Sequence, residues 1–187
     1  MESGVNSDQP AYRAIEKMAG EKNIPKILAR KGTKINLQSA DEADGDGKNI
    51  AIEILFPDRD PVGWDTNNAS IVAKLTYGEN SFLFTGDSPS AIEEYVASIE
   101  KENLKSDVLK VGHHGSRTSD SEIFTGWVSP QYAVISVGAD NRYGHPHQET
   151  LDTLENLSKF GVSILRTDKK GAVVFESNGS ALELLTK

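Results

Sequence analysis

The chain has 187 residues, no cysteine, and 20 lysines and arginines against 28 acidic residues, for a net charge of −8. That length suits one domain, or little more, with a proper core. The missing cysteine excludes disulfides, thiolate zinc sites and cysteine nucleophiles, and the acidity excludes general binding of a phosphate backbone. Attraction to an anionic substrate therefore falls to local cations such as Lys110, Arg117, Arg142 and Arg166, or to a metal. No window approaches the ~20 apolar residues that span a bilayer, and the amino terminus lacks the basic-then-apolar signal pattern.

Residues 9–20 (QPAYRAIEKMAG) predict a short helix ended by Gly20. Pro25–Leu28 and Lys34–Leu37 read as short strands. Residues 41–49 (DEADGDGKN) are the clearest loop, and residues 41–48 are expected to be exposed and mobile. Glu42, Asp44, Asp46, Gly47 and Glu53 copy the spacing of a calcium loop, but a strand follows where a helix belongs, so no calcium is expected. IAIEILFP from Ile50 is a strand stopped by Pro57. SIVAKLTY and SFLFT form a hairpin across Gly78-Glu79-Asn80. A helix over Ser90–Glu102, a strand at Val108, a helix over Ser121–Trp127, the strand YAVISVG and a helix over Gln148–Phe160 follow. VSILRT, GAVVFES and ALELL are closing strands. The alternation of strands and helices, with hairpins at both ends, predicts a layered α/β protein in a single domain, 1–187. The sequons at Asn68 and Asn178 are too common in unmodified chains to carry an argument.

Three strands end in polar motifs: TGD with Asp87, GHHG with His113 and His114, and YGHPH with His145 and His147. If these strands are neighbours in one sheet, their carboxyl ends share the edge where α/β sites are built. Imidazole and carboxylate oxygen suit zinc, manganese or iron without any thiol. The plain alternatives are that Asp87 caps the next helix and that His147 is a surface residue near a helix start.

The segments TNNASIVAKLTYGENSFLFTGD, SDVLKVGHHGSRTSDSEIF, PQYAVISVGADNRYGHPHQETLDTL and ILRTDKKGAVVF resemble the metallo-β-lactamase-fold domain of ComEC-type competence proteins. The likeness is strongest over 67–175. It implies an αββα sandwich with a dinuclear metal site, zinc or manganese, at one edge of two sheets. It places the metal ligands on Asp87, His113 and His145, and the catalytic roles on Asp87, His113 and His114. The choice within the histidine pair stays open, with His113 favoured as the nearer to the strand. Arg117 and Arg142 are the implied phosphate contacts.

The family's first motif, H-x-H-x-D-H or a close variant, has no counterpart, because all four histidines lie between 113 and 147. The chain thus reads as the carboxyl-terminal portion of the fold: an excised fragment, a split gene product or a degenerate relative. The resemblance implies a metal-dependent phosphodiesterase or nuclease acting on single-stranded DNA during uptake, inactive as this chain alone. It also implies an extracytoplasmic domain of a bacterial inner-membrane parent. A soluble hydrolase of a small ester or phosphoester, or a non-catalytic assembly module, are the rival readings. Apolar sheet surface left open by the missing portion would favour a homo-oligomer.

Overall fold

The computed structural model describes residues 1–37 and 49–185; the loop at 41–48, and with it the calcium question, lies outside them. Seven strands form one mixed sheet in chain order: β1 Lys34–Asn36, β2 Ile50–Phe56, β3 Val72–Tyr77, β4 Asn80–Phe84, β5 Val108–Lys110, β6 Tyr132–Ile135 and β7 Ser163–Arg166. The first four are antiparallel neighbours, with β3 and β4 joined by the tight turn at Gly78-Glu79. From β4 to β7 the strands run parallel, which requires a crossover between each pair. Helices α2 (Ser90–Glu100), α3 (Glu122–Val128) and α4 (Gln148–Ser158) lie in those crossovers.

Period-two alternation assigns the two faces. Leu83, Leu109 and Ala133 share one register row and are fully buried under the helices. They pack with Val96, Leu104, Phe124 and Val128 beneath α2 and α3, and with Ile135 and Leu154 beneath α4. The neighbouring row, Phe82, Val108 and Tyr132, points the other way. A separate hairpin, β8 (Phe175–Ser177) with β9 (Leu182–Leu184), lies on that second face. Its Phe175 ring sits 6.0 Å from Phe82 and 5.1 Å from Tyr132, both edge-on. Phe84, farther along, stays 42% exposed.

The α/β class is therefore observed, as a large mixed sheet with helices on one face. Of the expected elements, α1 (Pro10–Glu21) forms but buries no side chain. Pro25–Leu28 does not become a strand: Leu28 makes one isolated bridge to Glu2, and a strand needs a continuous partner. GAVVFES shortens to Phe175–Ser177, and a helical turn, α5 (Thr167–Lys170), lies between it and β7.

Candidate functional site

Because β4, β5 and β6 are parallel and in register, Phe84, Lys110 and Val134 stand side by side. The loops that follow them emerge at one edge. Asp87 does not cap α2: the cap position is Pro89, without a side-chain bond. Its backbone N–H instead donates to Ser70 Oγ at 3.1 Å, and its carboxylate is left 43% exposed. The preceding carbonyl, Gly86 O, accepts from His113 N–H at 3.1 Å, which ties the TGD loop to the GHHG loop.

The GHHG turn is strained. His113 and His114 hold left-handed backbone (φ 44° and 56°), followed by Gly115 at 80°. Each non-glycine residue there costs about 1–2 kcal/mol, and such strain gathers at functional sites. A Cβ on Gly115 would stand 2.6 Å from Pro146 Cβ, so the histidine turn and the YGHPH loop touch through a bare backbone. Gly115→Ala is accordingly expected to lower stability by about 1–3 kcal/mol, read as a shift of the urea midpoint, and to displace the His145 and His147 amide signals.

The donors stand as two pairs. His114 Nδ1 lies 2.7 Å from Ser136 O; a carbonyl only accepts, so Nδ1 carries the proton and Nε2 faces Asp87 Oδ1 at 3.6 Å. A ring nitrogen anchored on a carbonyl, with the other turned outward, is the arrangement of metal-ligating histidines. His113 and His145 meet edge-to-face at 5.8 Å. Burial, and then the neighbouring His147, His113 and His114 rings, hold the His145 pKa below its ordinary value, with Asp87 opposing. A neutral imidazole is what a metal requires. Among the described residues no three such donors close on one point.

The buried side-chain atoms left without a hydrogen bond among the described residues are Ser88 Oγ, Glu93 Oε1 and His113 Nδ1. They lie in, or directly beneath, the loops of this edge, and orphaned polar atoms mark sites that expect another partner. The donor set, imidazole and carboxylate without sulfur, fits zinc or manganese.

The other expected residues divide. His147 is more than a surface residue: its ring packs 4.8 Å from His145 and accepts Arg117 N–H at 3.2 Å on Nδ1. Arg117 is thereby placed at the rim. Arg142 is also at the rim, its guanidinium 4.9 Å from the centre of the Tyr143 ring. Lys110 is not available to a substrate. It is half-buried and donates to Gly86 O and Val111 O, both at 3.1 Å, with burial lowering its pKa. Arg166 is taken by Asp168, at 2.7 and 3.0 Å.

Sequence reasoning missed a buried carboxyl pair under the GHHG turn. Glu93 is fully buried and Asp120 1% exposed. Asp120 Oδ1 accepts Gly112 N–H at 3.1 Å and Oδ2 accepts Ser119 Oγ at 2.8 Å. Glu93 Oε2 accepts Ser121 N–H at 3.1 Å, while a Cβ on Gly112 would meet Oε1 at 2.6 Å. Burial, and next the charge of Asp120, push Glu93 well above the ordinary carboxyl range; burial raises Asp120 to about 6, against its hydrogen bonds and Lys110. The available signal was position: Glu93 shares the apolar stripe of α2 with Val96 and Ala97.

The fold and the edge thus define an α/β protein with a histidine–carboxylate cluster at the carboxyl ends of three parallel strands. No family profile matches the chain. It is 40% identical over 129 residues to ComE operon protein 3 of Bacillus subtilis (strain 168), covering 68% of this chain and 16% of that protein. Competence protein ComA of Neisseria gonorrhoeae is 40% identical over 111 residues, 59% of this chain and 16% of that protein. Recombination protein 2 of Haemophilus influenzae is 37% identical over 126 residues, 67% and 15%. Its relatives are competence proteins, and the chain spans about a sixth of their length. No described helix is long and apolar enough to cross a membrane.

Proposed function

We propose that this chain is the carboxyl-terminal part of a metallo-β-lactamase-like domain of a ComEC-type competence protein. In the parent, that domain is a metal-dependent phosphodiesterase acting on a DNA strand during uptake, outside the membrane that anchors it. The observation that carries this reading is the meeting of Asp87, His113, His114 and His145 at one strand edge, in a chain whose relatives are competence proteins.

Asp87 and His145 would hold zinc or manganese with the histidine pair. His114 is pre-set for it by its Ser136 bond, and His113 by its unpartnered Nδ1. When bound, such ions lower the pKa of water and neutralise phosphate charge. The chain's own part is to orient and attract. The strained turn holds both imidazoles toward Asp87 and His145. Arg117 and Arg142 bring guanidinium forks suited to phosphate oxygens, and they are needed because the rest of the chain is acidic. The ligands of the absent first motif would complete the site, so the 187-residue chain alone is expected to hold metal weakly and to cut no DNA. Its open sheet face around Phe84 would also favour self-association.

The test is the whole gene product with manganese and end-labelled single-stranded DNA. Cleavage is expected in the wild type, and a loss of at least 100-fold in Asp87→Ala, in line with removal of a ligand or its support. Cleavage that survives Asp87→Ala contradicts the proposal.

A further inference from the structure

Beside the histidines, a hollow of about 450 Å³ opens between the 136–145 loop and the turn after β7. That is the size of a small-molecule site. His114, Tyr143 and His145 line it, together with Gly138, Gly171 and Ala172. We propose that this hollow is a subsite for one unpaired nucleobase of the strand whose phosphate is held at the histidines. It rests on reading that edge as a phosphodiester site, and it specifies the substrate as single-stranded.

Three observations support it. Tyr143 is 63% exposed, yet it is held in place: its ring stacks on His145 at 5.8 Å and 28°, and Arg142 donates to its hydroxyl at 2.7 Å. An exposed, fixed aromatic beside a guanidinium is the platform on which bases stack. Second, two of the lining residues are glycines with open space beside them. A Cβ on Gly138 or Gly171 would meet nothing within 4 Å, so a flat ring enters without displacing side chains. Third, cations stand near the hollow although the chain is acidic. Arg142 lies over the ring of the lining residue Tyr143, and the exposed Lys169 and Lys170 directly precede the lining residue Gly171, against Asp140 and Asp87 of opposite charge.

The same geometry sets the specificity. Asn141 spends its amide on Gly138 O, His145 O and His145 N–H. Thr167 Oγ1 donates to Val137 O and accepts Val137 N–H. Asn141 and Thr167 are thus committed to shaping the hollow, and a base is held chiefly by stacking, with little preference of type. A base inside a duplex cannot enter without leaving its stack.

The experiment is an amide-shift titration of the ¹⁵N-labelled 187-residue chain in the presence of a chelator. The probes are the thymidine dinucleotide d(TpT) and a diester of equal charge whose sugars lack bases. The result expected is that d(TpT), and not the abasic diester, moves the Gly138, Tyr143 and Gly171 signals. Gly138→Leu, whose Cβ has open space around it, should weaken d(TpT) at least tenfold, as should Tyr143→Ala. Equal shifts from the abasic diester, or unchanged d(TpT) affinity in Gly138→Leu with the amide spectrum otherwise preserved, overturn the proposal. Chelation removes metal chemistry from the readout. A whole protein that fails to cut DNA therefore sinks the hydrolase reading and leaves this result standing, and the converse holds.

Discussion

The protein is expected to be more stable at pH 5 than at pH 8, and Asp120→Asn is expected to reduce that difference, leaving the share that Glu93 carries. Asp120 and Glu93 bind their protons more tightly in the folded state, because burial penalises their charged forms. A raised carboxyl contributes stability in full below its unfolded pKa, and loses it as pH climbs through the folded value. For Asp120 that window runs from the ordinary 3.8 up through about 6. A displacement of that size is worth roughly 3 kcal/mol at one end of the window relative to the other. Asparagine keeps the acceptor for Gly112 N–H and tolerates the left-handed backbone at this position (φ 60°). Urea unfolding of both proteins from pH 4 to 8 is the check. Parallel pH profiles would show that Asp120 does not titrate in this window.

The second large effect falls on Glu93. Glu93→Ala is expected to cost about 3–5 kcal/mol: it leaves a cavity under the turn and strips Ser121 N–H of its acceptor. Glu93→Gln, which retains an acceptor and carries no charge, should cost under 1 kcal/mol at pH 7. The contrast separates a carboxyl kept neutral from one that must be ionised. If Gln is as damaging as Ala, the buried group is working as an anion.

Much of the edge was legible in the chain. Alternating strands and helices force β4, β5 and β6 to be parallel, and parallel neighbours bring TGD, GHHG and YGHPH together. The limits of each strand were less legible, because they depend on what takes the backbone groups. YAVISVG stops pairing at Ile135: Ser136 O is occupied by His114 Nδ1 and Val137 N–H by Thr167 Oγ1. The cations misled for a similar reason. A lysine at a strand end looks free until the carbonyls of the adjoining loop claim it, as Gly86 O claims Lys110. Glu93 was half legible, as an acid in an apolar stripe; its partner Asp120, just before the Ser121 cap of α3, reads as ordinary helix-start polarity.

Zinc titration followed on the imidazole nitrogens of the ¹⁵N-labelled chain tests most directly whether Asp87 and the histidines at this edge hold metal. Weak, saturable binding is expected, moving the His145 ring and those of His113 and His114. Affinity should fall at least tenfold in Asp87→Ala and again in His145→Ala. Zinc affinity unchanged by both substitutions, with the imidazole signals at this edge unmoved, would contradict metal ligation by these residues.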